Sequence, residues 1–312
     1  MHIIETQDLT RKFDDLVAVD KLNLQVEGGR IFGLIGPNGA GKTTTVRMLT
    51  TLLNPSGGTA RVAGHDILKE PHLVRRVIGY VPQEAQADEA LTGREHLILQ
   101  GRLYGMEPQV MARRIDEVLE LVELKQQADK RALEYSGGMR KLLDIATGLL
   151  HNPKLLFLDE PTSGVDVSHR KRLLNYIGGL PATGMTIFLT SHFLEEVDLL
   201  ANRVALLDNG RIVTEGTPAD LKASIGTSIL DIVVGDPEAF PLPSVASELR
   251  QVRSLSKVII DSNRIKVFAN GGDVLLDVRQ HLERLRVPVA SLTIAQPTLD
   301  DVFLHHIRRE DN

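Results

Sequence analysis

A glycine-rich octapeptide restricts the fold of this chain more than any other feature of the sequence. Residues 36–43 read GPNGAGKT and follow the apolar run Ile31–Ile35. The pattern is typical of a loop whose backbone N–H groups bind phosphates, while its lysine reaches the β- and γ-phosphates and its threonine binds Mg²⁺. A glycine-rich turn before a helix is the alternative, but the loop has the preceding strand and the following helix, predicted over residues 43–53, that the motif requires. The candidate nucleotide-binding residues here are Gly36, Pro37, Asn38, Gly39, Ala40, Gly41, Lys42, Thr43 and Thr44.

Composition excludes several classes of protein. The net charge, 36 − 41 = −5, argues against a nucleic-acid coat protein, and no nucleic-acid partner is expected. The chain has no cysteine, which removes disulfide scaffolds, thiol catalysis and cysteine-based zinc sites. Trp is absent and aromatic residues make up only 4%, which argues against base-stacking surfaces. The sequence shows no run of about 18 apolar residues and no signal-peptide segment, so no membrane-crossing helix is expected.

The order of apolar and helical stretches predicts two domains. Residues 1–222 alternate short apolar runs, such as 155–158 and 186–190, with helical stretches, which is typical of an α/β domain with buried parallel strands. Residues from about 84 to 150 are dominated by helical patterns and are predicted to form a helical subdomain. Residues 226–312 follow the order βαββαβ, which predicts a small α+β domain of the ferredoxin-like type, with a last helix after Pro297.

Two carboxylates end the predicted strand at residues 155–158. With a phosphate loop elsewhere in the chain, Asp159 is the expected partner of Mg²⁺, directly or through water. Glu160 would then lie beside the γ-phosphate and polarise the attacking water. The alternative is a solvated strand end, because strands often end in acidic residues.

A second candidate anion site precedes a helical stretch at about 141–150. Ser136, Gly137 and Gly138 supply a hydroxyl and backbone N–H groups at a helix start, which suits a phosphate. An ordinary helix cap beside a glycine turn is the alternative. A second phosphate-binding helix start shortly before the carboxylate strand favours the functional interpretation.

Together these motifs, in this order, resemble those of an ATP-binding-cassette (ABC) ATPase, the nucleotide-binding subunit of a transporter. The resemblance covers roughly residues 1–220 and is highly specific as a joint pattern. The motifs that carry it are the phosphate loop, Tyr80-Val81-Pro82-Gln83, Ser136-Gly137-Gly138, Asp159-Glu160, Ser163-Gly164-Val165-Asp166 and Thr190-Ser191-His192.

Several residue roles are implied by this resemblance. Phe13 is expected to stack on adenine with Val19 beside it. Gln83 is expected to contact Mg²⁺ and the attacking water, at the end that faces a membrane partner. Asp166 lies on the loop that crosses to a partner subunit, and His192 contacts the γ-phosphate. The implied catalytic residues are Glu160, His192 and Gln83, and the implied Mg²⁺ ligands are Thr43, Gln83 and Asp159.

A narrower resemblance comes from the C-terminal segment. Residues 296–304 read QPTLDDVFL and are similar to the tail of ATPases of the daunorubicin-resistance-like branch, which work with separate ABC-2-type permeases. An amphipathic helix that packs on the small domain is a compatible alternative. The resemblance implies an export ATPase that uses ATP and Mg²⁺ and binds an integral membrane permease. It also implies a homodimer, or a heterodimer with a related ATPase, bridged by ATP on the cytoplasmic face of the membrane. The C-terminal domain is interpreted as a regulatory or dimerisation domain.

Two further functions were weighed against export. A soluble ABC ATPase acting in translation or DNA repair usually carries two cassettes or a long coiled-coil insertion, and this chain has one phosphate loop. A nucleotide-binding regulator without catalysis is disfavoured by Glu160 and His192. The sequence also departs from the family where Tyr135 and Met139 flank Ser136-Gly137-Gly138, the signature segment, and where Gly148 weakens the following helix. The pair Glu195-Glu196 is assigned to a solvated helix face.

Overall fold

The computed structural model describes residues 2–84, 86–252, 255–270 and 274–307. The chain divides into two compact units, Met1–Glu215 and Gly216–Asn312, and each is described by itself. Among the described residues, none of the helices combines the length and the apolar character needed to span a bilayer.

The first unit contains eleven strands and seven α-helices among its described residues. Its strands are β1 (His2–Phe13), β2 (Leu16–Leu22), β3 (Gln25–Glu27), β4 (Ile31–Ile35), β5 (Gly57–Val62), β6 (His65–Asp66), β7 (Ile78–Val81), β8 (Leu155–Asp159), β9 (Thr186–Ser191), β10 (Arg203–Asp208) and β11 (Arg211–Gly216). Its helices are α1 (Lys42–Leu49), α2 (Pro71–Val77), α3 (Gly93–Leu103), α4 (Pro108–Leu121), α5 (Gly137–Leu149), α6 (Val167–Gly179) and α7 (Leu194–Leu200). Short 3-10 turns lie at Lys125–Gln127, Ala132–Glu134 and Leu180–Thr183.

One sheet of this unit places the candidate site. Its strand order is β11-β10-β4-β9-β8-β7, and the ladders from β10 to β7 are parallel. Strands β4, β8 and β9 are buried along their whole length, as continuous apolar runs in a parallel sheet predict. Because the carboxyl ends of parallel strands share one edge, the segments after β4, β7, β8 and β9 meet there. The α/β prediction is confirmed.

A second, antiparallel sheet packs on the other side of the core. Its order is β2-β1-β5-β6, with β3 also paired to β1. Side chains of both sheets and of α1 form one buried cluster, in which Ile4 and Val62 pack with Met48 of α1 and Phe157 of β8. The rings of Phe157 and Phe188 lie 5.3 Å apart in the same cluster. Helix α1 is therefore fixed between two sheets, and its first residue, Lys42, is fixed with it.

Two local predictions have different outcomes. The helix predicted over residues 43–53 ends at Leu49, because Thr51 adopts a φ of +62° and the backbone N–H groups of Leu52 and Leu53 turn back to the Arg47 carbonyl. The predicted hairpin at 208–210 is confirmed. Asn209 and Gly210 have φ values of +46° and +76°, the conformation that a two-residue turn between twisted strands favours.

Helices α3, α4 and α5 occupy the segment that was predicted to be helical. A capping box starts α3, since Thr92 and Glu95 exchange side-chain and backbone hydrogen bonds. Helix α5 packs closely on β7, and a methyl group added at Gly79 would lie 2.2 Å from the carbonyl oxygen of Gly148. A side chain at Gly148 would meet Leu156 at 3.0 Å. The glycine that weakens this helix is therefore what allows it to approach the sheet.

The second unit has the element order βαββαβ after a short first helix, as the sequence predicted. Its elements are α8 (Pro218–Ser224), β12 (Ser228–Val234), α9 (Leu242–Leu249), β13 (Leu255–Asp261), β14 (Arg264–Ala269), α10 (Val274–Arg284), β15 (Val289–Ala295) and α11 (Leu299–Ile307). The sheet order is β13-β14-β12-β15, with antiparallel pairs throughout. The sequence predicts the second helix of this order over residues 273–285, and its first residue lies outside the described residues. A separate buried cluster, including Leu249, Val267 and Val278, forms the core of this unit.

Candidate active site

The phosphate loop connects β4 to α1 through backbone conformations that only glycine adopts easily. Gly41 has a φ of +106°, and a Cβ there would lie 2.4 Å from the carbonyl oxygen of Ala18. At Gly36 a Cβ would lie 2.2 Å from the Leu207 carbonyl oxygen. The loop therefore lies against neighbouring backbone, and α1 begins directly after it. A helix N-terminus behind a loop of this kind can bind phosphate oxygens.

Lys42, the first residue of α1, turns its side chain back over the loop. Its Nζ donates hydrogen bonds to the carbonyl oxygens of Gly36 at 2.8 Å and Pro37 at 3.1 Å. Burial lowers the pKa of Lys42, and the carboxylates of Glu160 and Asp159 oppose that shift. The Nζ lies 3.8 Å from Oε1 of Glu160. The structure therefore brings the phosphate-loop lysine beside the predicted catalytic carboxylate.

Asp159 and Thr43 form a group of oxygen donors at the end of β8. The hydroxyl of Thr43 lies 3.3 Å from Oδ1 of Asp159, which also accepts a 2.5 Å hydrogen bond from the hydroxyl of Thr190. Asp159 is only 1% exposed. A hydroxyl and a carboxylate are ligands that Mg²⁺ prefers, so these residues fit that ion.

Glu160 is the centre of the site. Its Oε2 accepts a hydrogen bond from Nε2 of Gln83 at 3.0 Å and lies 2.9 Å from Nδ1 of His192. Its backbone has a φ of +48°, a conformation that costs free energy for a residue with a Cβ. The backbone N–H of Glu160 donates to both the carbonyl and the hydroxyl oxygen of Thr190. Thr190, which the sequence analysis missed as a site residue, therefore orients the Asp159 carboxylate and holds the backbone of Glu160.

One residue beside the site contradicts the sequence analysis. Glu196, assigned there to a solvated helix face, is 4% exposed. Its carboxylate accepts a 2.6 Å hydrogen bond from the hydroxyl of Thr162 and forms an ion pair with Arg170. The Arg170 guanidinium also lies 3.9 Å from the centroid of the Phe193 ring. The assignment was wrong because α7 turns Glu196 inward, while Glu195 remains exposed.

The signature segment forms the start of α5. Ser136 is its N-cap, and its hydroxyl accepts a 3.2 Å hydrogen bond from the backbone N–H of Met139. Ser136 and Gly137 are exposed, whereas Gly138 is buried. Tyr135, a departure from the usual leucine, is buried with its hydroxyl bonded to the Gln127 carbonyl. Tyr135 therefore packs in the interior and leaves Ser136 and Gly137 accessible.

The predicted crossing loop packs directly against this signature turn. A Cβ at Gly138 would lie 2.8 Å from the Cβ of His169, and one at Gly137 would lie 3.5 Å from the carbonyl oxygen of Gly164. Asp166 is exposed and holds the start of α6 through a 3.1 Å bond from the backbone N–H of His169. Nδ1 of His169 lies 2.7 Å from the same carboxylate. The structure therefore brings the signature turn and the loop of Asp166 together.

Val19 packs against the phosphate loop, and Phe13 lies at the end of β1, which pairs with the strand that carries Val19. Val19 is fully buried, and its side chain would lie 3.3 Å from a Cβ at Gly41. Phe13 is 40% exposed at the end of β1, with the Arg11 guanidinium 4.4 Å from its ring centroid. An exposed ring at this position is available for stacking on a base.

Two buried charged residues of α5 were also missed. Lys141 and Asp144 are 3% and 4% exposed, and both contact the loop that carries Gln83. Nearby, a cleft of about 640 Å³ is lined by residues that include Gln86, His96, Tyr104 and Asp144. The available sequence signal was the pair of charges three residues apart on either side of the apolar residues Leu142 and Leu143.

The chain is similar to proteins of known family. A family model described as ABC transporter matches residues 19–163. The daunorubicin/doxorubicin resistance ATP-binding protein DrrA of Streptomyces peucetius is 41% identical over 303 residues, which span 96% of this chain and 91% of that protein. The Nod factor export ATP-binding protein I of Mesorhizobium japonicum is 35% identical over 313 residues, spanning 98% and 87%. The solved ATP-binding subunit of an ABC transporter superposes with a TM-score of 0.64 at 29% identity, covering 71% of this chain and 92% of that one.

These relatives confirm the resemblance that the motifs carry. The match to the resistance protein spans 96% of this chain and therefore extends over both units. The relatives' names describe ATP-binding proteins of drug resistance and export, and they give no support to the alternative in translation or DNA repair. The chain belongs to the family of ABC transporter ATP-binding proteins, and it is an ATP-binding and ATP-hydrolysing subunit that powers an export transporter.

Proposed function

We propose that Glu160 is the residue that polarises the attacking water and that Gln83 and His192 hold its carboxylate in place. The observation that carries this proposal is the pair of contacts at Oε2 of Glu160, 3.0 Å from Gln83 and 2.9 Å from His192. A carboxylate in hydrogen-bond reach of the γ-phosphate can accept the proton of water as the new P–O bond forms. The strained backbone of Glu160 is held by Thr190 for the same purpose.

Phosphate binding falls to the loop and to Lys42. Backbone N–H groups of the loop and the start of α1 supply donors to the phosphates. Lys42 is fixed by the carbonyls of Gly36 and Pro37, from which its Nζ can reach the β- and γ-phosphates. Phe13, whose ring is exposed, would stack on the adenine ring, with Val19 buried beside the phosphate loop.

The hydroxyl of Thr43 and the carboxylate of Asp159 would hold Mg²⁺, with the amide of Gln83 as a third contributor. The ion, when bound, neutralises charge on the β- and γ-phosphate oxygens. Thr190 keeps the Asp159 carboxylate oriented through a 2.5 Å hydrogen bond. Substitution of Thr43, Asp159 or Gln83 would therefore weaken the response of hydrolysis to Mg²⁺.

The working unit in this proposal is a dimer bridged by ATP. The exposed signature residues Ser136 and Gly137 offer a second set of phosphate donors at the start of α5. In a two-fold dimer, each chain would present this turn to nucleotide held by Lys42 of the other. Asp166, on the exposed loop that packs beside the signature, would lie at the same interface. A heterodimer with a related ATPase would satisfy the same geometry.

The proposed partner is an integral membrane permease, which would hold this chain on the cytoplasmic face of the membrane. The cleft of about 640 Å³ is a candidate docking surface, because Gln86 lines it three residues from Gln83. Movement of the permease at this cleft would then be transmitted through Gln83 to the carboxylate of Glu160, which activates water. The cargo would be a small organic molecule, which the names of relatives in drug resistance and Nod factor export support.

Phosphate release by the purified full chain tests this proposal. Hydrolysis of ATP should require Mg²⁺, stop on addition of a chelator, and disappear in Lys42→Ala. Binding of a fluorescent ATP analogue separates a defect in binding from a defect in hydrolysis. A chain that binds ATP but releases phosphate at the same rate with and without Mg²⁺ contradicts the proposed site.

A further inference from the structure

Lys141 joins α5 to the loop that carries Gln83. Its Nζ donates hydrogen bonds to two consecutive backbone carbonyls, those of Pro82 at 2.5 Å and Gln83 at 3.0 Å. The side chain is 3% exposed, so the ammonium group has exchanged water for these two carbonyls. A buried cation that loses such partners carries a large desolvation cost, so the contacts hold the loop firmly.

Asp144 holds the same loop at a second point. Its carboxylate oxygens accept hydrogen bonds from the backbone N–H of Gln86 at 3.2 and 3.4 Å. Asp144 follows Lys141 by three residues, which places both side chains on one face of the helix. Burial lowers the pKa of Lys141, while the carboxylates of Asp144, Asp159 and Glu160 oppose the shift. One face of α5 therefore binds the loop at two points: Lys141 donates to backbone carbonyls at Gln83 and before it, and Asp144 accepts from a backbone N–H after it.

The same helix begins at the signature. Ser136 is the N-cap of α5, and Lys141 follows it by five residues, about 7.5 Å along the axis at 1.5 Å per residue. Gln83, at the other end of these contacts, donates to Oε2 of Glu160. A short, hydrogen-bonded path thus runs from the signature turn to the catalytic carboxylate within a single chain.

We propose that Lys141 and Asp144 are positioning residues that clamp the loop of Gln83 to α5 and so keep the Gln83 amide on Glu160. The inference rests on the proposed roles of Gln83 and Glu160. The clamp makes α5 a rigid link, because any movement of the signature turn along the helix axis is transmitted to Gln83. Neither residue contacts nucleotide in this arrangement, so their loss should lower turnover and leave ATP affinity unchanged.

The test compares four variants of the full chain. Lys141→Met and Asp144→Ala remove the two halves of the clamp, and Lys141→Arg keeps a cation that can donate to both carbonyls. Arg114→Met is a matched control, because Arg114 donates to the carbonyls of Leu149 and Leu150 at the opposite end of α5. Each variant is measured for ATP affinity, kcat, KM and amide hydrogen exchange of the peptide that contains Gln86.

Lys141→Met should lower kcat by about tenfold or more with little change in KM, since small misplacements of catalytic groups have effects of this size. Lys141→Arg should recover most of the activity. Amide exchange around Gln86 should rise in Lys141→Met and Asp144→Ala, while Arg114→Met changes neither this exchange nor kcat. In a Gln83→Ala background, Lys141→Met should cause little further loss of kcat, because both act on one step.

Two results would overturn the clamp. Unchanged exchange at Gln86 in Lys141→Met and Asp144→Ala would show that these residues do not hold the loop. Faster exchange with unchanged kcat would show that the held loop does not position Gln83. Failure of the proposed function is a separate result, seen as a wild-type chain without Mg²⁺-dependent hydrolysis. In that case, amide hydrogen exchange at Gln86 would still show whether the clamp exists.

Discussion

The Glu160 carboxylate lies 2.9 Å from Nδ1 of His192, and the two side chains come from the ends of adjacent parallel strands. A hydrogen bond at this distance requires a proton on Nδ1 of the imidazole. Glu160 is 6% exposed, and its other contacts are with Gln83 and Lys42. The carboxylate therefore holds hydrogen bonds with Gln83 and His192 and an ion pair with Lys42, and these three partners come from separate segments of the chain.

The first prediction concerns Glu160→Gln. Glutamine keeps the shape of the side chain but removes the charged proton acceptor, so turnover should fall by about 10²-fold or more. ATP should still bind, because Lys42 and the loop are unchanged, and ATP should then accumulate in a closed dimer. Phosphate release and sedimentation with ATP measure the two effects. Hydrolysis close to the wild-type rate would remove Glu160 from its proposed role.

The second prediction concerns the buried pair Glu196–Arg170. Glu196→Ala leaves the Thr162 hydroxyl and the Arg170 guanidinium without their acceptor, so the free energy of unfolding should fall by about 3 kcal/mol. Glu195→Ala is the matched control, because Glu195 is exposed on the same turn and its loss should cost less than about 0.5 kcal/mol. Urea unfolding of both variants checks the difference, and equal losses would contradict it.

The third prediction concerns the pH dependence of stability. Burial raises the pKa of Asp144 to about 6, against a smaller opposing effect of the Gln86 N–H and Lys141. Between its ordinary pKa and about 6, the folded chain binds more protons than the unfolded chain, so Asp144 costs stability as pH rises through this window. Asp144→Asn should therefore gain up to about 3 kcal/mol relative to wild type between pH 4 and pH 7.

Urea unfolding at several pH values measures this gain. The difference in stability between Asp144→Asn and wild type should grow up to about pH 7 and then become constant. Above its raised pKa, Asp144 is ionised in both the folded and the unfolded chain. Thr147→Val serves as a control on the same helix, because its hydroxyl bonds only the Leu143 carbonyl of its own helix and does not titrate. A difference for Asp144→Asn that is the same at every pH would contradict the prediction.

Most of the fold could be predicted from the sequence because its signals are local. A glycine-rich loop between strand and helix, and an Asn-Gly turn at 209–210, each act through the φ values of a few residues. The βαββαβ order of the second unit was likewise readable from alternating periodicity. The early end of α1 was missed because Thr51 takes a left-handed conformation that its residue type does not favour.

The candidate site was less predictable where tertiary contacts decide it. Glu196 and Glu195 are identical in type and adjacent, and only the packing of α7 beside Thr162 and Arg170 distinguishes them. Lys141 and Asp144 resemble ordinary helix charges until the loop of Gln83 is placed against them. Motifs with fixed spacing were visible in the sequence, whereas residues that position the motifs needed the three-dimensional arrangement.

The fourth prediction concerns the C-terminal unit, which we propose regulates or stabilises the dimer. Truncation after Glu215 follows the division between the units. Truncation after Ser224 would instead leave α8, with the buried Leu221, separated from α11, on which it packs. The shorter fragment should bind ATP with unchanged affinity and show altered ATP-dependent dimerisation by sedimentation. Loss of ATP binding from a folded fragment would contradict this division of roles.

The last prediction tests whether two chains share each ATP site. Lys42→Ala removes phosphate binding at the loop, and Ser136→Arg blocks the signature turn, so each variant alone should be inactive. In a mixed dimer, both lesions fall on one composite site, while the other site combines an intact Lys42 with an intact Ser136. Mixing the two variants should therefore restore part of the ATPase activity. If mixed dimers form without activity, crosslinking of cysteines placed at Ser136 and Gly39 decides the cause. ATP-dependent crosslinking between chains indicates shared sites that must act together. Absence of crosslinking indicates that the sites are not shared.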